Sequence, residues 1–490
     1  MEGLRCGSSR DLTPGNRRKS IIIISSTGTY VTMDGKVEFR DIFKHKGLMI
    51  VVGVSALLLF SASAVVVSSY SDADGVQTGD AGGGVQWKWD PSVKTLSFLK
   101  VSEGDGRMNN YGPEQRIVYP PWEDYDLLIE NIVIGEGVKY LGTFSFDGTA
   151  RPFISATKMT VPCDMEYGRV SIELLTNLKE IKITGSGPMK DYSSERKDKF
   201  ECKTPWHASQ EKLEKIIFDY GVTSIPVKSF SKYYKHLTTV EFPSTVTKIG
   251  DYAFYGCVSL KDFALPRNLE SIGENAFAYC DARTLTIPDS VTSIGAYAFS
   301  VNENMKGATL SGSMDSIPEH IFDSCYMLGS VNAPAVKTIG EGAFSYCYAL
   351  QRFEFKEGLA SIGKNAFYYA GLTSADLPST VKQISNGAFG CSKLESVHIS
   401  SADVKVESAA FFGDVQLKEV AIADGSSVLC KDSFLFSTYI EKLIIGEGVT
   451  VEPDAFKTYS FYKDGGKLDW DQLAGHTFEG SGNLVLTAVD

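Results

Sequence analysis

The most regular feature of the chain is an apolar pattern that returns every 22 to 24 residues. A Phe, usually preceded by Ala or Ser, marks each copy of the pattern. These residues are Phe230, Phe254, Phe277, Phe299, Phe322, Phe344, Phe367, Phe389, Phe411, Phe434 and Phe456. An aliphatic residue stands five positions before each Phe, as Ile249 does before Phe254. Upstream of it, apolar and polar residues alternate with the period of a strand, as in 260–265 and 372–377.

Each copy therefore predicts one structural unit. The unit is a short strand, a turn often marked by Pro, a second extended piece and a tight bend at the Phe. A single unit of this length cannot bury its own apolar edge, whereas stacked units can. Eleven units stacked at ~4.8 Å per strand would form a body about 50 Å long. We predict a β-rich solenoid with a parallel β-sheet over residues 213–460.

The flanks of the array carry a duplicated motif. Each copy has an alternating strand, two Gly residues, a Met, a Tyr and a Pro-Trp pair. The first copy holds Gly104, Gly106, Met108, Tyr111 and Trp122, and the second holds Gly185, Gly187, Met189, Tyr192 and Trp206. We predict that residues 87–212 form a duplicated capping module with divergent repeats, its Trp residues closing the exposed solenoid end, and that residues 461–490 form the C-terminal cap.

One segment is long and apolar enough to cross a membrane. Leu48 to Val67 contains no charge, and a helix of this length spans about 30 Å. Basic residues precede the run and acidic residues follow it, which predicts a cytoplasmic N-terminus. We predict a cytoplasmic tail at 1–47, a transmembrane signal anchor at 48–69 and a flexible linker at 70–86. Cleavage near Ala62-Ser63-Ala64, giving a secreted protein, is the alternative.

The repeat resembles a known family. The unit LxxhxLPxxhxxIGxxAFxxC is similar to the BspA-type, or Treponema pallidum-type, leucine-rich repeat, and residues 287–299 (IPDSVTSIGAYAF) carry it closely. The resemblance covers residues 213–460. It implies a leucine-rich-repeat solenoid on a cell-surface or secreted protein, and some members of the family act as adhesins or surface antigens.

The amino-acid composition and the absence of catalytic motifs argue against two classes of function, nucleic-acid binding and catalysis. The 48 basic and 60 acidic residues give a net charge of -12, which argues against nucleic-acid binding. Only 6 His occur, and the catalytic motifs G-x-S-x-G and H-E-x-x-H are absent from the sequence. We therefore predict no enzymatic activity, no catalytic residue, no cofactor and no metal.

The cysteines follow the repeat. Cys257, Cys280, Cys325 and Cys347 each lie three residues after a repeat Phe. This placement favours buried free thiols acting as small apolar side chains over disulfides. A disulfide between Cys163 and Cys202 in the flank is an open alternative.

A partner would bind the concave sheet of the solenoid, where side chains between the inward aliphatic residues point outward. The candidate residues are Thr239, Glu241, Asp262, Thr284, Thr286, Asn332, Arg352, Glu354, Asp376, His398 and Glu419. This row lacks an aromatic stripe, which favours a protein partner on the extracytoplasmic side over a carbohydrate. The alternatives are ordinary solvated positions and a surface coat built by self-association.

Four tyrosines follow the repeat Phe on the bend side: Tyr279, Tyr346, Tyr368 and Tyr369. We expect them to serve packing more than binding.

Overall fold

The computed structural model describes residues 75–111, 120–122, 125–142, 145–146, 155–167, 175–192, 204, 206–232, 234–334, 336–480 and 484–489. Three further strands are described by their backbone, Lys19–Ile24, Tyr30–Asp34 and Val66–Tyr70, and they pair antiparallel. The rest of the predicted tail, residues 48–65 of the predicted membrane helix and part of the linker lie outside the described residues. Val66–Tyr70 is a strand paired with Lys19–Ile23, at the end of the segment that the sequence predicts to be a helix up to residue 69. Its β-branched valines suit an extended backbone. None of the helices in the described part of the chain could cross a membrane.

The described residues form a β-solenoid of about 14 turns. Each turn contributes to two parallel ladders, which we name the long-strand ladder and the short-strand ladder, and closes through a bend at the repeat Phe. The predicted solenoid with parallel sheets is confirmed over the repeat region.

The long-strand ladder begins with a hairpin meander and continues in parallel. The antiparallel opening strands are Gln77–Gly82, Val85–Asp90 and Thr95–Lys100. The parallel strands that follow are Asn131–Ile134, Lys158–Pro162, Glu180–Thr184, Lys215–Phe218, Thr239–Glu241, Thr284–Thr286, Gly307–Thr309, Ser330–Asn332, Ser374–Leu377, Ser396–Ile399, Glu419–Ile422 and Lys442–Ile445. The strands of the predicted capping module thus share one sheet with the first repeats.

The long-strand ladder is interrupted twice. Residues 260–265, which the alternating pattern predicts to be a strand, form none, and residues 351–356 form none either. Phe263 occupies an inward position of the first segment and packs on Phe277 at a centroid distance of 4.7 Å. Phe353 packs on both Phe344 and Phe367 in the second. We attribute the interruptions to these rings, which need more room than an aliphatic residue and hold the backbone out of regular pairing.

The short-strand ladder consists mostly of two-residue strands that end at the aliphatic residue of each unit. They are Gly187–Pro188, Val222–Ile225, Lys248–Ile249, Ser271–Ile272, Ser293–Ile294, Ser316–Ile317, Thr338–Ile339, Ser361–Ile362, Gln383–Ile384, Lys405–Val406, Val428–Leu429 and Thr450–Val451. Tyr140–Leu141 and Glu166–Tyr167 form a separate parallel pair nearer the N-terminus. A Gly follows several of these strands because the preceding turn passes close by: a Cβ on Gly273 would lie 2.4 Å from the Asp251 amide nitrogen.

The core is a column of stacked phenylalanine rings. All eleven repeat Phe side chains are fully buried. Neighbouring rings from Phe230 to Phe456 lie 4.6 to 6.3 Å apart between centroids and within 24° of parallel. Trp206 extends the column, stacked on Phe230 at 5.4 Å. Offset stacking of this kind adds to the free energy gained from burial.

The bends also pair with one another through the backbone. The amides of Tyr252, Phe254 and Gly256 donate to the carbonyls of Glu274, Ala276 and Ala278 in the next unit, at 2.8, 2.8 and 2.9 Å. From Phe230 to Phe434, the residues two before and two after each Phe have left-handed backbone, as at Tyr252 (φ 56°) and Gly256 (φ 75°). The bend is therefore a third inter-unit ladder, although it contains no strand.

In six units a polar group three residues after the Phe completes the bend. The thiols of Cys257, Cys280, Cys325 and Cys347 donate to the Phe carbonyl of the preceding unit at 3.1 to 3.3 Å. Asn302 and Ser437 make the same bond with amide and hydroxyl groups. The prediction of buried free thiols is confirmed for these four cysteines, which also act as donors. Cys163 is likewise a buried free thiol, and Cys202 lies outside the described residues.

Both ends of the solenoid are covered. At the N-terminal end Trp122 is fully buried, and its Nε1 donates to the Ser145 carbonyl at 2.8 Å. At the C-terminal end His476–Glu479 pairs antiparallel with Lys442–Ile445, and Val485–Val489, Ser460–Lys463 and Gly466–Lys467 continue that sheet. Two short 3-10 helices, His207–Ser209 and Trp470–Gln472, lie in the two flanks.

The buried Asp414 leads us to predict that the free energy of unfolding decreases as pH rises. It occupies the position three residues after Phe411, fully buried, and burial raises its pKa to about 8 from an ordinary 3.8. The folded chain then holds a proton that the unfolded chain releases, so the stability is complete below about pH 4 and declines as pH rises towards 8, by up to about 1.4 kcal/mol per pH unit. We expect Asp414→Asn to remove this decline and to raise the urea midpoint at pH 7, measured by circular dichroism.

Asn302 shows why an asparagine side chain should fit at position 414. At the equivalent position its Nδ2 donates to the Phe277 carbonyl at 3.0 Å and its Oδ1 accepts from the Ala282 amide at 2.9 Å. Asp403 is an exposed carboxylate bonded to Lys382, and the variant Asp403→Asn serves as the control. Its stability should decline with pH nearly as steeply as that of the wild type. Equal slopes for the wild type and Asp414→Asn would mean that Asp414 is ionised in the folded chain.

Candidate functional site

The outward side chains of the long-strand ladder form two rows, which we call the strand face. Strand alternation buries every second residue and leaves the others in solvent. One row contains Thr239, Thr284 and Glu419, and the other contains Glu241, Thr286, Asn332, Asp376 and His398. All eight are exposed or half-buried.

Three of the sequence-predicted site residues are not on strands. Asp262 lies in the first interruption of the ladder, and Arg352 and Glu354 lie in the second. All three remain exposed. Their side chains stand on less regular backbone than those of the neighbouring strands, so the strand face is divided into three sections.

Charged groups on the strand face pair across neighbouring strands. Asp376 and His398 are in register, and the Nδ1 of His398 lies 2.7 Å from the Asp376 carboxylate. Lys442 donates to Glu419 at 2.8 Å, and this bond raises the pKa of the lysine. Such exposed pairs stabilise the fold only slightly, because solvent screens them and their side chains lose conformational freedom. The pairs leave the charges available to a partner.

The middle section of the strand face is uncharged. Thr284 and Thr286 align with Gly307 and Thr309, and Thr309 aligns with Asn332. Charged sections border it, with Glu241 bonded to Lys215 on one side and the Asp376–His398 pair on the other. The arrangement is a polar surface of small side chains flanked by groups that could fix the orientation of a bound protein.

A groove beside Thr239 is a feature that the sequence analysis missed. Threonines and alternating Lys and Glu side chains from four neighbouring turns line a cavity of about 590 Å³. Lys179 lies 3.0 Å from Glu214, and Lys215 lies 2.6 Å from Glu241. The signal was present in the sequence as a Lys-Glu or Glu-Lys pair at the start of several strands, but only the stacking register makes the pairs adjacent.

The bend carries aromatic side chains that pack on one another and are partly exposed. Tyr279 is 46% exposed and Tyr369 is 40% exposed, whereas Tyr346 and Tyr368 are half-buried. Tyr346 stacks on Tyr369 at 5.5 Å. The rings therefore contact one another along the surface while presenting part of their area to solvent.

The described residues offer little chemistry for catalysis or metal binding. Among them, no group of three or more His, Cys, Asp and Glu side chains is placed to hold a metal ion. Burial raises the pKa of the Cys280 and Cys325 thiols to about 12, so these thiols stay protonated and poorly nucleophilic at neutral pH.

Comparison with known proteins identifies the repeat but no close relative. No curated protein matches the sequence. Among solved structures, a leucine-rich repeat protein from Bacteroides ovatus is 25% identical, with 62% of this chain and 72% of that chain covered and a TM-score of 0.49. A leucine rich cell surface protein from Faecalibacterium prausnitzii is 19% identical, with 79% and 98% covered and a TM-score of 0.32. A leucine-rich repeat protein of T. pallidum is 16% identical, with 55% and 88% covered and a TM-score of 0.26.

A family model gives the assignment. The model of the BspA type leucine rich repeat region matches six copies, over residues 223–348 and 315–441. These ranges contain the repeat Phe residues from Phe230 to Phe434, most of the short-strand ladder and both interruptions described above. The repeats within residues 223–441 are BspA type leucine-rich repeats.

Proposed function

We propose that this chain is a cell-surface protein that binds another protein through the strand face. The observation that carries the proposal is the in-register row of small polar and charged side chains on the outside of the long-strand ladder. A solenoid presents such a row as an extended, rigid surface on which a partner can be ordered with little loss of side-chain entropy. The family to which the repeats belong supports a role in binding and none in catalysis.

The membrane arrangement is part of the same proposal. Residues 48–69 would anchor the chain as a helix, in place of the strand at Val66–Tyr70 and its pairing with Lys19–Ile23, with residues 1–47 in the cytoplasm and the solenoid outside. The apolar run and the asymmetry of charge around it support this topology. The net charge of -12 would keep the displayed domain soluble and away from anionic lipid. A secreted form results if the apolar segment is cleaved.

Site-specific photo-crosslinking in intact cells tests the binding face. A benzoyl-phenylalanine in place of Asn332 lies on the strand face, whereas the same group in place of Asp315, which is 80% exposed, lies beside the short-strand ladder. We expect a covalent adduct with a different protein from position 332 and none from position 315, detected by immunoblot. Equal adducts from both positions would contradict the site, and adducts between copies of this chain would favour the surface-coat alternative.

Charge reversal tests the role of the flanking charges. We expect the combination Arg352→Glu and Asp376→Lys to lower the yield of the adduct from position 332 several-fold, because both groups are exposed and an interface would meet them with complementary charge. The circular dichroism spectrum should not change, since neither side chain is part of the core. Asp315→Lys is the matched control, and an undiminished yield in the double variant would argue against the strand face as the site.

Brief protease treatment of intact cells, followed by mass spectrometry, tests the topology. We expect peptides from residues 213–460 to be released and peptides from residues 1–47 to stay protected in the membrane fraction, because the bilayer shields the tail. Repeats found intact in the medium and beginning near Val65 would replace the anchor with a cleaved signal peptide.

A further inference from the structure

Bulky tyrosines occupy positions on the bend that the backbone would give to Gly or Asn. Tyr279 and Tyr297 have φ values of 58° in the left-handed region, which costs free energy for an aromatic residue. Other units place Gly256 and Gly413 at the position of Tyr279, and Asn275 and Asn365 at the position of Tyr297. The fold forms with those residues, so backbone geometry does not explain why tyrosines stand here.

These tyrosines surround a pocket on the surface of the bend. The rings of Tyr252, Tyr255, Tyr279 and Tyr297 line a cavity of about 440 Å³ that opens to solvent. Tyr252 and Tyr279 lie 5.5 and 5.3 Å from Tyr255 between centroids. Tyr297 stacks flat on His320 at 4.4 Å, which fixes the direction of its ring. The walls are therefore held in position before any ligand arrives.

The pocket is electronegative. Glu274 and Asp323 line it together with the rings, and no lysine or arginine does so among the residues that the structure describes. The hydroxyl of Tyr252 donates to Glu274 at 2.9 Å, and His320 and Ser324 each bond to Asp323 at 2.9 Å. Burial, followed by the negative charges of Asp323, Glu341, Glu319 and Glu274, raises the pKa of the Tyr297 phenol. A cation would be attracted to this site before a neutral or anionic group.

The structure already holds a cation on one of these rings. The Lys228 Nζ lies 5.4 Å from the centroid of Tyr252. Tyrosine faces attract cations through their quadrupole, and carboxylates beside the ring reinforce that attraction. A guanidinium group is the best match to both parts of the pocket, since it stacks flat on a ring and donates two parallel hydrogen bonds to a carboxylate.

We propose that the tyrosine pocket receives arginine side chains, and lysine side chains less well, from a basic segment of a partner protein. The pocket lies on the bend, so this binding is separate from that proposed for the strand face and does not depend on it. The other occupant that aromatic walls suggest is a neutral glycan, whose sugar rings would stack on the tyrosines without any need for the carboxylates.

Fluorescence anisotropy with a labelled oligoarginine peptide tests the proposal on the full-length chain in a neutral detergent. The variant Tyr279→Gly with Tyr297→Asn installs residues that other units carry at these positions, so it should fold at least as well as the wild type. We expect it to bind the peptide about tenfold or more weakly, because both exposed ring faces are lost. Tyr439→Ser is the control: Tyr439 is 58% exposed and outside the pocket, and its loss should leave binding unchanged.

A second variant and two probes make the outcome decisive. Glu274→Gln with Asp323→Asn keeps the rings but removes the charge, and should also weaken oligoarginine binding. A labelled glucan oligosaccharide should bind neither the wild type nor this variant. An oligolysine peptide should bind more weakly than oligoarginine. Three outcomes would overturn the proposal. The wild type and the tyrosine variant could bind oligoarginine equally, the wild type could fail to bind it, or the glucan could bind in its place in a way that depends on the tyrosines.

Discussion

The column of stacked phenylalanine rings is the interaction on which the rest of the solenoid depends. Each ring is buried by the ring before it and the ring after it, so a unit gains its core only from its neighbours. The spacing of the column, 4.6 to 6.3 Å, is close to the spacing of paired strands. The same distance between successive units therefore suits both ring stacking and strand pairing. The long-strand ladder, the short-strand ladder and the bend can all repeat at that distance.

Burying the Phe ring requires a bend with left-handed backbone, which costs free energy. Hydrogen bonds between neighbouring units offset that cost. Left-handed residues on both sides of the Phe turn the chain and aim its amides at the carbonyls of the next unit. A thiol, amide or hydroxyl three residues later satisfies the Phe carbonyl of the preceding unit. Three inner units depart from this pattern: Ala370 offers no side-chain donor, and Ser392 donates to Phe389 of its own unit. In the third, burial raises the pKa of Asp414 to about 8, and its second carboxyl oxygen is buried with no hydrogen-bond partner among the described residues.

The same bend separates two surfaces with different chemistry. The strand face carries small polar side chains and weak ion pairs in strict register, which suits a broad contact with low cost of ordering. The bend carries tyrosines whose rings are fixed by stacking and bordered by carboxylates, which suits the capture of single side chains. The ladders keep the backbone of both surfaces rigid, so a ligand on either meets groups that are already in place.

The sequence by itself determined the solenoid, because the spacing of Phe residues and of the aliphatic residue before each is a local pattern that stacking repeats. It also determined which strand residues point outward, since alternation requires only the strand period. The interruptions at Phe263 and Phe353 could not be predicted, because they depend on whether a ring fits beside the phenylalanine column. The donor role of the cysteines, the raised pKa of Asp414 and the pocket between Tyr252, Tyr279 and Tyr297 also needed the tertiary structure. Each arises between residues of neighbouring turns, and only the stacking of successive turns decides which of them meet.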